Sequence, residues 1–143
     1  TPRLMTYESL ADGGFATGTM LGSGGFIVMD ETSSIVKNLF TFTRFYRHES
    51  CGQCSPCREG TAWMEKVLHK ILIGQGTIKD IDLLWEIQGK IEGKTICPLG
   101  DAAAWPVASA IRHFRSEFEE YVNNPDAIKD VKHYYNVHNL TEA

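Results

Sequence analysis

Three of the four cysteines in this chain fall within seven positions, in ESCGQCSPCREGT over residues 49–61, and the fourth stands alone in TICPLGD over residues 95–101. No other feature constrains the fold as strongly. Cys51, Cys54 and Cys57 form C-x2-C-x2-C, and Cys97 follows after 39 intervening residues with Pro98 directly behind it. Each two-residue gap lets a tight loop turn successive sulfurs towards one point, and three in series suit three corners of a cube. The fourth corner then comes from a distant segment, which Cys97 supplies if the chain folds its loop back beside the triplet. Cys-Pro fits that role, because proline adds no backbone donor next to the sulfur and stiffens the loop at the ligand. The spacing therefore points to a cubane 4Fe-4S cluster held by Cys51, Cys54, Cys57 and Cys97.

Two other thiol chemistries compete with that reading. A structural zinc site also takes four thiolates, but its usual grammar is two separated C-x2-C pairs. A zinc-clasped helical adaptor without redox activity stays open as the alternative. A thioredoxin-like C-x-x-C exchanging disulfides wants one pair at a helix start in a strand-rich context, and here a third thiol is left over. The start, TPRLMTYESLADGG, has no apolar core behind a basic segment, so no export signal is read there and the reducing compartment is favoured. It also lacks an initiating methionine and reads as mid-chain, so a piece of a longer polypeptide is expected.

Hydrophobic residues make up 43% of the 143 positions and charged ones 22%, as in globular chains. The formal charge of −4 gives no basic footprint, which sets nucleic acid aside as a partner. No apolar run is long enough to span a bilayer, so no direct membrane insertion is expected.

The texture changes near residue 34. Before it, GGFATGTMLGSGGFIVMD reads as turns followed by a strand at Phe26, Ile27 and Val28. GSGG at 22–25 precedes that strand rather than a helix, so it fails the context of a dinucleotide-binding loop. After it, helical periodicity takes over. Ser33 or Ser34 is placed to cap a helix over about 35–48, with Ile35, Leu39, Phe42 and Tyr46 on one face and Val36, Phe40 and Phe45 broadening it. A second helix is predicted over about 59–73, with Ala62 or Trp63, Val67 and Ile71 inward and a stop at Gly74. A third covers about 78–91, with Ile81, Leu84 or Trp85 and Gln88 on its inner face and Gly93 after it.

The fourth begins within DAAAWPVAS and carries Val107, Ile111, Phe114, Phe118 and Tyr121, with Pro106 in its first turn or just before it. Trp63, Trp85 and Trp105 are read as core, and His48, His69, His113, His133 and His138 as surface residues. The tail from Asn123 breaks at Pro125 and is expected to wrap over a surface. Four amphipathic helices with short connections predict an antiparallel bundle, in which the first and third loops share one end. That end is where the cysteines lie.

Taken together, SCGQCSPCREGT, ICPLGDAAAWPV followed by IRHFR, and LGSGGFIVMD ahead of both resemble the C-terminal part of the flavin-bearing, NADH-oxidising subunit of respiratory complex I. Diaphorase subunits of NAD-linked hydrogenases and formate dehydrogenases share the pattern. The resemblance runs through about residues 5–122. It implies a mainly α fold, a four-helix bundle carrying an iron-sulfur cluster, preceded by the end of a β-grasp (ubiquitin-like) domain. The implied domains are 1–33 for that end and a linker, 34–122 for the bundle, and 123–143 for a tail. It also implies a 4Fe-4S cluster on Cys51, Cys54, Cys57 and Cys97 that takes electrons from FMN reduced by NADH and passes them to iron-sulfur centres of partner subunits. The FMN and NADH sites belong mainly to an N-terminal domain to which nothing here aligns, so no NADH-binding residue carries over. The loop at Pro98 and Leu99 is expected to approach the flavin.

Expected partners are that N-terminal domain, a 2Fe-2S thioredoxin-like subunit and a large iron-sulfur subunit of the same complex. The implied location is the cytoplasmic peripheral arm of a membrane-associated complex, or the matrix side of a mitochondrion. Arg58 is a candidate for offsetting cluster charge, against the plainer reading of a salt-bridged residue at a helix N-terminus. The backbone N–H groups of Gly52, Gln53 and Ser55 are the expected donors to the sulfurs.

Overall fold

The computed structural model of the chain describes residues 27–30 and 32–124. The chain divides into two units, Thr1–Thr32 and Ser33–Ala143. Of the first, the described residues include Ile27 and Val28, which are exposed and outside any strand. Phe26, the GSGG segment and the remainder of the expected β-grasp end lie outside the described residues, as does the tail from Pro125.

The described residues of the second unit form four helices: α1, Ile35–Glu49; α2, Ser55–Leu72; α3, Ile78–Ile91; and α4, Leu99–Asn123. Each helix packs on its neighbours in a ring, with α1 also meeting α4 and a further diagonal contact between α2 and α4. The loops are short, residues 50–54, 73–77 and 92–98, which is what antiparallel neighbours require.

Local chemistry sets the starts. Ser34 caps α1, its hydroxyl accepting from Lys37 N at 3.2 Å. The same hydroxyl contacts Glu117 Oε1 at 2.7 Å and Tyr121 OH at 2.9 Å, tying the start of α1 to the end of α4. At the start of α3, Asp80 Oδ2 accepts from Thr77 N and Thr77 Oγ1, both at 2.7 Å, and Lys70 Nζ reaches both oxygens of the same carboxylate from α2.

Two starts fall earlier than the periodicity predicts. α2 begins at Ser55 because Pro56, with its φ fixed and its N–H absent, suits a first helical turn. The triplet is therefore not all loop: Cys54 is the N-cap and Cys57 sits in the first turn. α4 begins at Leu99 behind Pro98, and Pro106 lies inside the helix rather than in its first turn. Ala102, Ala103 and Ala104 precede the proline, and alanine, the residue of highest helix propensity, holds the helix across it. The departure from helical geometry comes later, at Phe114, with φ −130° and ψ 26°.

The core is mostly aliphatic, with Phe40 and Phe118 inside it. Val36, Leu39 and Phe40 of α1 meet Met64, Leu68 and Ile71 of α2, Ile81, Leu84 and Ile91 of α3, and Ala104, Val107, Ile111 and Phe118 of α4. Several aromatic residues assigned inward lie outward. Trp63, Trp85 and Trp105 are 55%, 41% and 43% exposed, and Phe45 and Phe114 are likewise exposed. Trp63 sits one position off the buried stripe of Gly60, Met64 and Leu68, a rotation of about 100° that turns it to the rim. Trp105 keeps its indole N–H on Glu92 Oε1 at 2.9 Å, and Arg112 lies over the Trp85 ring at 5.7 Å. His69 is half-buried, its ring 5.8 Å from that of Phe40, not a free surface residue.

Candidate metal centre

The loops α1–α2 and α3–α4 meet at one end of the bundle. Ile96 N donates to Cys54 Sγ at 3.4 Å, a bond between residues 42 apart in sequence. Cys51, Cys54, Cys57 and Cys97 all line one hollow of about 90 Å³, together with Glu49, Ser50, Thr95 and Leu99. The four thiols are free of disulfides, and their exposure is graded: Cys57 is buried, Cys54 intermediate, Cys51 and Cys97 exposed.

Each wall of the hollow has a local cause. Gly52 turns the triplet at φ +79°, a left-handed conformation in which a side chain is strained. Arg58 braces that turn, donating through Nη1 to Gly52 O at 2.6 Å and through Nη2 to Ser55 Oγ at 3.4 Å. Its Nε is paired with Glu59 at 2.9 Å. Arg58 thus holds the loop's backbone and shares its charge with a carboxylate. On the other side, Thr95 Oγ1 donates to Cys97 O at 3.0 Å. Thr95 packs into the space left by the missing side chain of Gly100, where a Cβ would collide with it. Gly93 N donates to Asp101 Oδ1 at 2.7 Å, fastening the start of this loop to the first turn of α4.

Two helices start at the hollow. α2 opens at Cys54 and α4 at Pro98, so both N-terminal dipole ends lie beside the thiols. That arrangement favours an anion, and a metal centre bearing four thiolates is one. Among the described residues, no group of three or more His, Cys, Asp or Glu is placed to hold a single metal ion. All four thiols line the same hollow, as a shared cluster requires. The donor set, the hollow and the two helix starts fit a 4Fe-4S group.

The sulfur donors differ from those expected. Gly52 N–H goes to Ser50 Oγ at 3.3 Å and not to a sulfur. The bonds made at sulfur are that from Ile96 N to Cys54 and one between Ser50 Oγ and Cys57 Sγ, 3.2 Å apart. Neither has a spacing signature. The serine next to the first cysteine was the available hint. His48 lies at the exposed end of α1, with Nδ1 2.9 Å from Glu49 Oε1, apart from the thiols.

Fold and site together define a helical iron-sulfur bundle, four helices with cysteines gathered from two loops at one end. The chain belongs to the family of the NADH-ubiquinone oxidoreductase-F iron-sulfur binding region, whose model matches residues 37–121. It is 44% identical over 120 residues to an F subunit of the NADH-quinone oxidoreductase of Rhizobium meliloti, covering 84% of this chain and 27% of that one. It is 49% identical over 118 residues to the F subunit of the NADH-quinone oxidoreductase of Rickettsia felis, covering 82% and 27%. Among solved structures it resembles an NAD+-reducing NiFe hydrogenase in the H2-reduced state, with a TM-score of 0.63 and 36% identity over 66% of this chain and 17% of that one. The chain spans about a quarter of the length of the curated relatives it matches.

Proposed function

We propose that this chain is the electron-transfer module of an NADH dehydrogenase subunit, with Cys51, Cys54, Cys57 and Cys97 as the ligands of its 4Fe-4S cluster. The observation that carries this is the convergence of all four thiols on one hollow between two loops. When bound, the cluster supplies one-electron transfer between a flavin reduced by NADH and a further iron-sulfur centre.

The chain's own residues fix where that exchange happens. Cys57 and Cys54, in the first turn and at the cap of α2, form the inner wall, and burial keeps water from Cys57. Cys51 and Cys97 form an open rim beside Ile96, which is 87% exposed. A redox partner therefore has its closest approach at the rim. Leu99 lines the same hollow, which supports the α3–α4 loop as the side facing the flavin. Arg58 stiffens the first loop, Thr95 the second, and Ile96 N on Cys54 Sγ joins the two, so that the distance to a partner is set by the bundle rather than by loose loops.

The FMN and NADH sites belong, on this reading, to the part of the relatives that this chain does not span. The partners are that part, a 2Fe-2S thioredoxin-like subunit and a large iron-sulfur subunit, in the cytoplasmic or matrix-side peripheral arm of the complex. Residues 1–33 are the end of a β-grasp domain, 34–122 the bundle and 123–143 a tail. Among the described residues, no helix is long and apolar enough to cross a membrane.

Anaerobic purification tests the assignment. A brown protein with iron and acid-labile sulfide in equal amounts, giving an electron-spin signal on reduction, is the expected result. A colourless protein carrying zinc would establish the adaptor instead.

A further inference from the structure

Ser50 provides the one side-chain hydrogen bond to any of the four sulfurs among the described residues, with Oγ 3.2 Å from Cys57 Sγ. The direction of that bond follows from its neighbour. Gly52 N–H donates to the same oxygen at 3.3 Å, so a lone pair of the hydroxyl is used and its single proton is free to point elsewhere. A cysteine that ligates a metal is a thiolate with no proton to give. The bond then runs from the Ser50 hydroxyl to Cys57 Sγ. Ser50 is also held in place: it caps α1 with its N–H on Arg47 O at 3.4 Å and is half-buried beside Cys57, itself 6% exposed. In so dry a position water competes weakly for the sulfur, and the hydrogen bond keeps its strength.

We propose that Ser50 is a positioning residue that raises the reduction potential of the cluster through Cys57, a reading that rests on the cluster assignment above. A donor aimed at a ligating sulfur withdraws negative charge from the metal centre. The reduced centre carries one more negative charge than the oxidised one, so the same bond stabilises it more. Cys57 is where this matters most, because it is the ligand that solvent reaches least.

The test is an anaerobic redox titration of the loaded full chain, read by electron-spin resonance, for wild type, Ser50→Ala and Ser50→Thr. Ser50→Ala should titrate at a more negative potential, with a ratio of reduced to oxidised cluster about tenfold lower at a fixed potential, about 59 mV for a one-electron couple. Ser50→Thr keeps the hydroxyl and should titrate with the wild type. Resonance Raman spectra give an independent readout: a cysteinyl iron-sulfur stretch of the wild type and of Ser50→Thr should shift on exchange into D2O. If the wild type binds no iron and sulfide, the cluster assignment fails and this proposal with it. If all three load equally and Ser50→Ala keeps the wild-type potential, this proposal alone is overturned. Should Ser50→Ala assemble no cluster, the Raman measurement decides, and a stretch insensitive to D2O in the wild type overturns it.

Discussion

Gly60 lies on the buried face of α2, one turn after Cys57, and the side chain of Ile91 from α3 occupies the space a Cβ would need. A Cβ built there meets Ile91 Cδ1 and Cγ1, both at 2.6 Å, closer than real Cβ contacts come. Gly60→Ala therefore sets two effects against each other. In an exposed helix the substitution would stabilise by about 1 kcal/mol through helix propensity. Here Ile91 is 1% exposed and blocks the space with Cγ1 as well as with its free end, so overpacking costs about 1–3 kcal/mol. The expected net result is a loss of about 1 kcal/mol, which lowers Tm by about 4–8 °C for a domain of this size.

A double-mutant cycle isolates the contact. Ile91→Val removes Cδ1 and leaves Cγ1, relieving part of the crowding, so Gly60→Ala should be nearly neutral in that background, with a coupling of about 1 kcal/mol. The assay is equilibrium urea unfolding of the cluster-free chain followed by circular dichroism, since metal loss would spoil two-state behaviour. If Gly60→Ala instead stabilises both backgrounds by the full propensity gain, the close approach of α2 and α3 is wrong.

Cys97→Ala should abolish iron and sulfide binding while changing the stability of the cluster-free chain by less than about 0.5 kcal/mol, because Cys97 is exposed there; metal analysis and melts of both forms check this. Burial raises the pKa of Asp80, but hydrogen bonds from Lys70 and Thr77 outweigh it and hold the carboxyl below its ordinary 3.8. Stability from this group is present above the unfolded value and lost as pH falls through the lower folded one. Unfolding curves should therefore weaken on acidification below about pH 4, and Asp80→Asn should remove part of that dependence. Gln88 is buried and its Oε1 has no hydrogen-bond partner, so Gln88→Met should stabilise the chain by about 1 kcal/mol in the same urea assay.

The four helices could be read from periodicity because aliphatic residues carry the core: Val36 and Leu39, Met64 and Leu68, Ile81 and Leu84, Val107 and Ile111 all recur at helical spacing. Phe40, Phe118 and Tyr121 are buried as assigned, but the three tryptophans misled, since a tryptophan weighs as apolar whichever way it faces. Trp63 and Trp105 satisfy that surface half by packing and half by solvent, which a one-dimensional pattern cannot show. Starts were harder than centres, as Pro56 and Pro98 set the first turns of α2 and α4 by geometry rather than by hydrophobicity. The meeting of Cys97 with the triplet followed from loop order in an antiparallel bundle. The groups that shape the hollow did not, because Ser50, Arg58, Thr95 and the N–H of Ile96 act through single hydrogen bonds across folded distance.

The gradient from a sealed Cys57 to an open Cys51 and Cys97 sets the order in which air would do harm. Dissolved oxygen meets the outer pair first, so corrosion of a bound cube should start at its outward corners and work inward. A surface pressed against that mouth would then act as a stopper for a bound cluster.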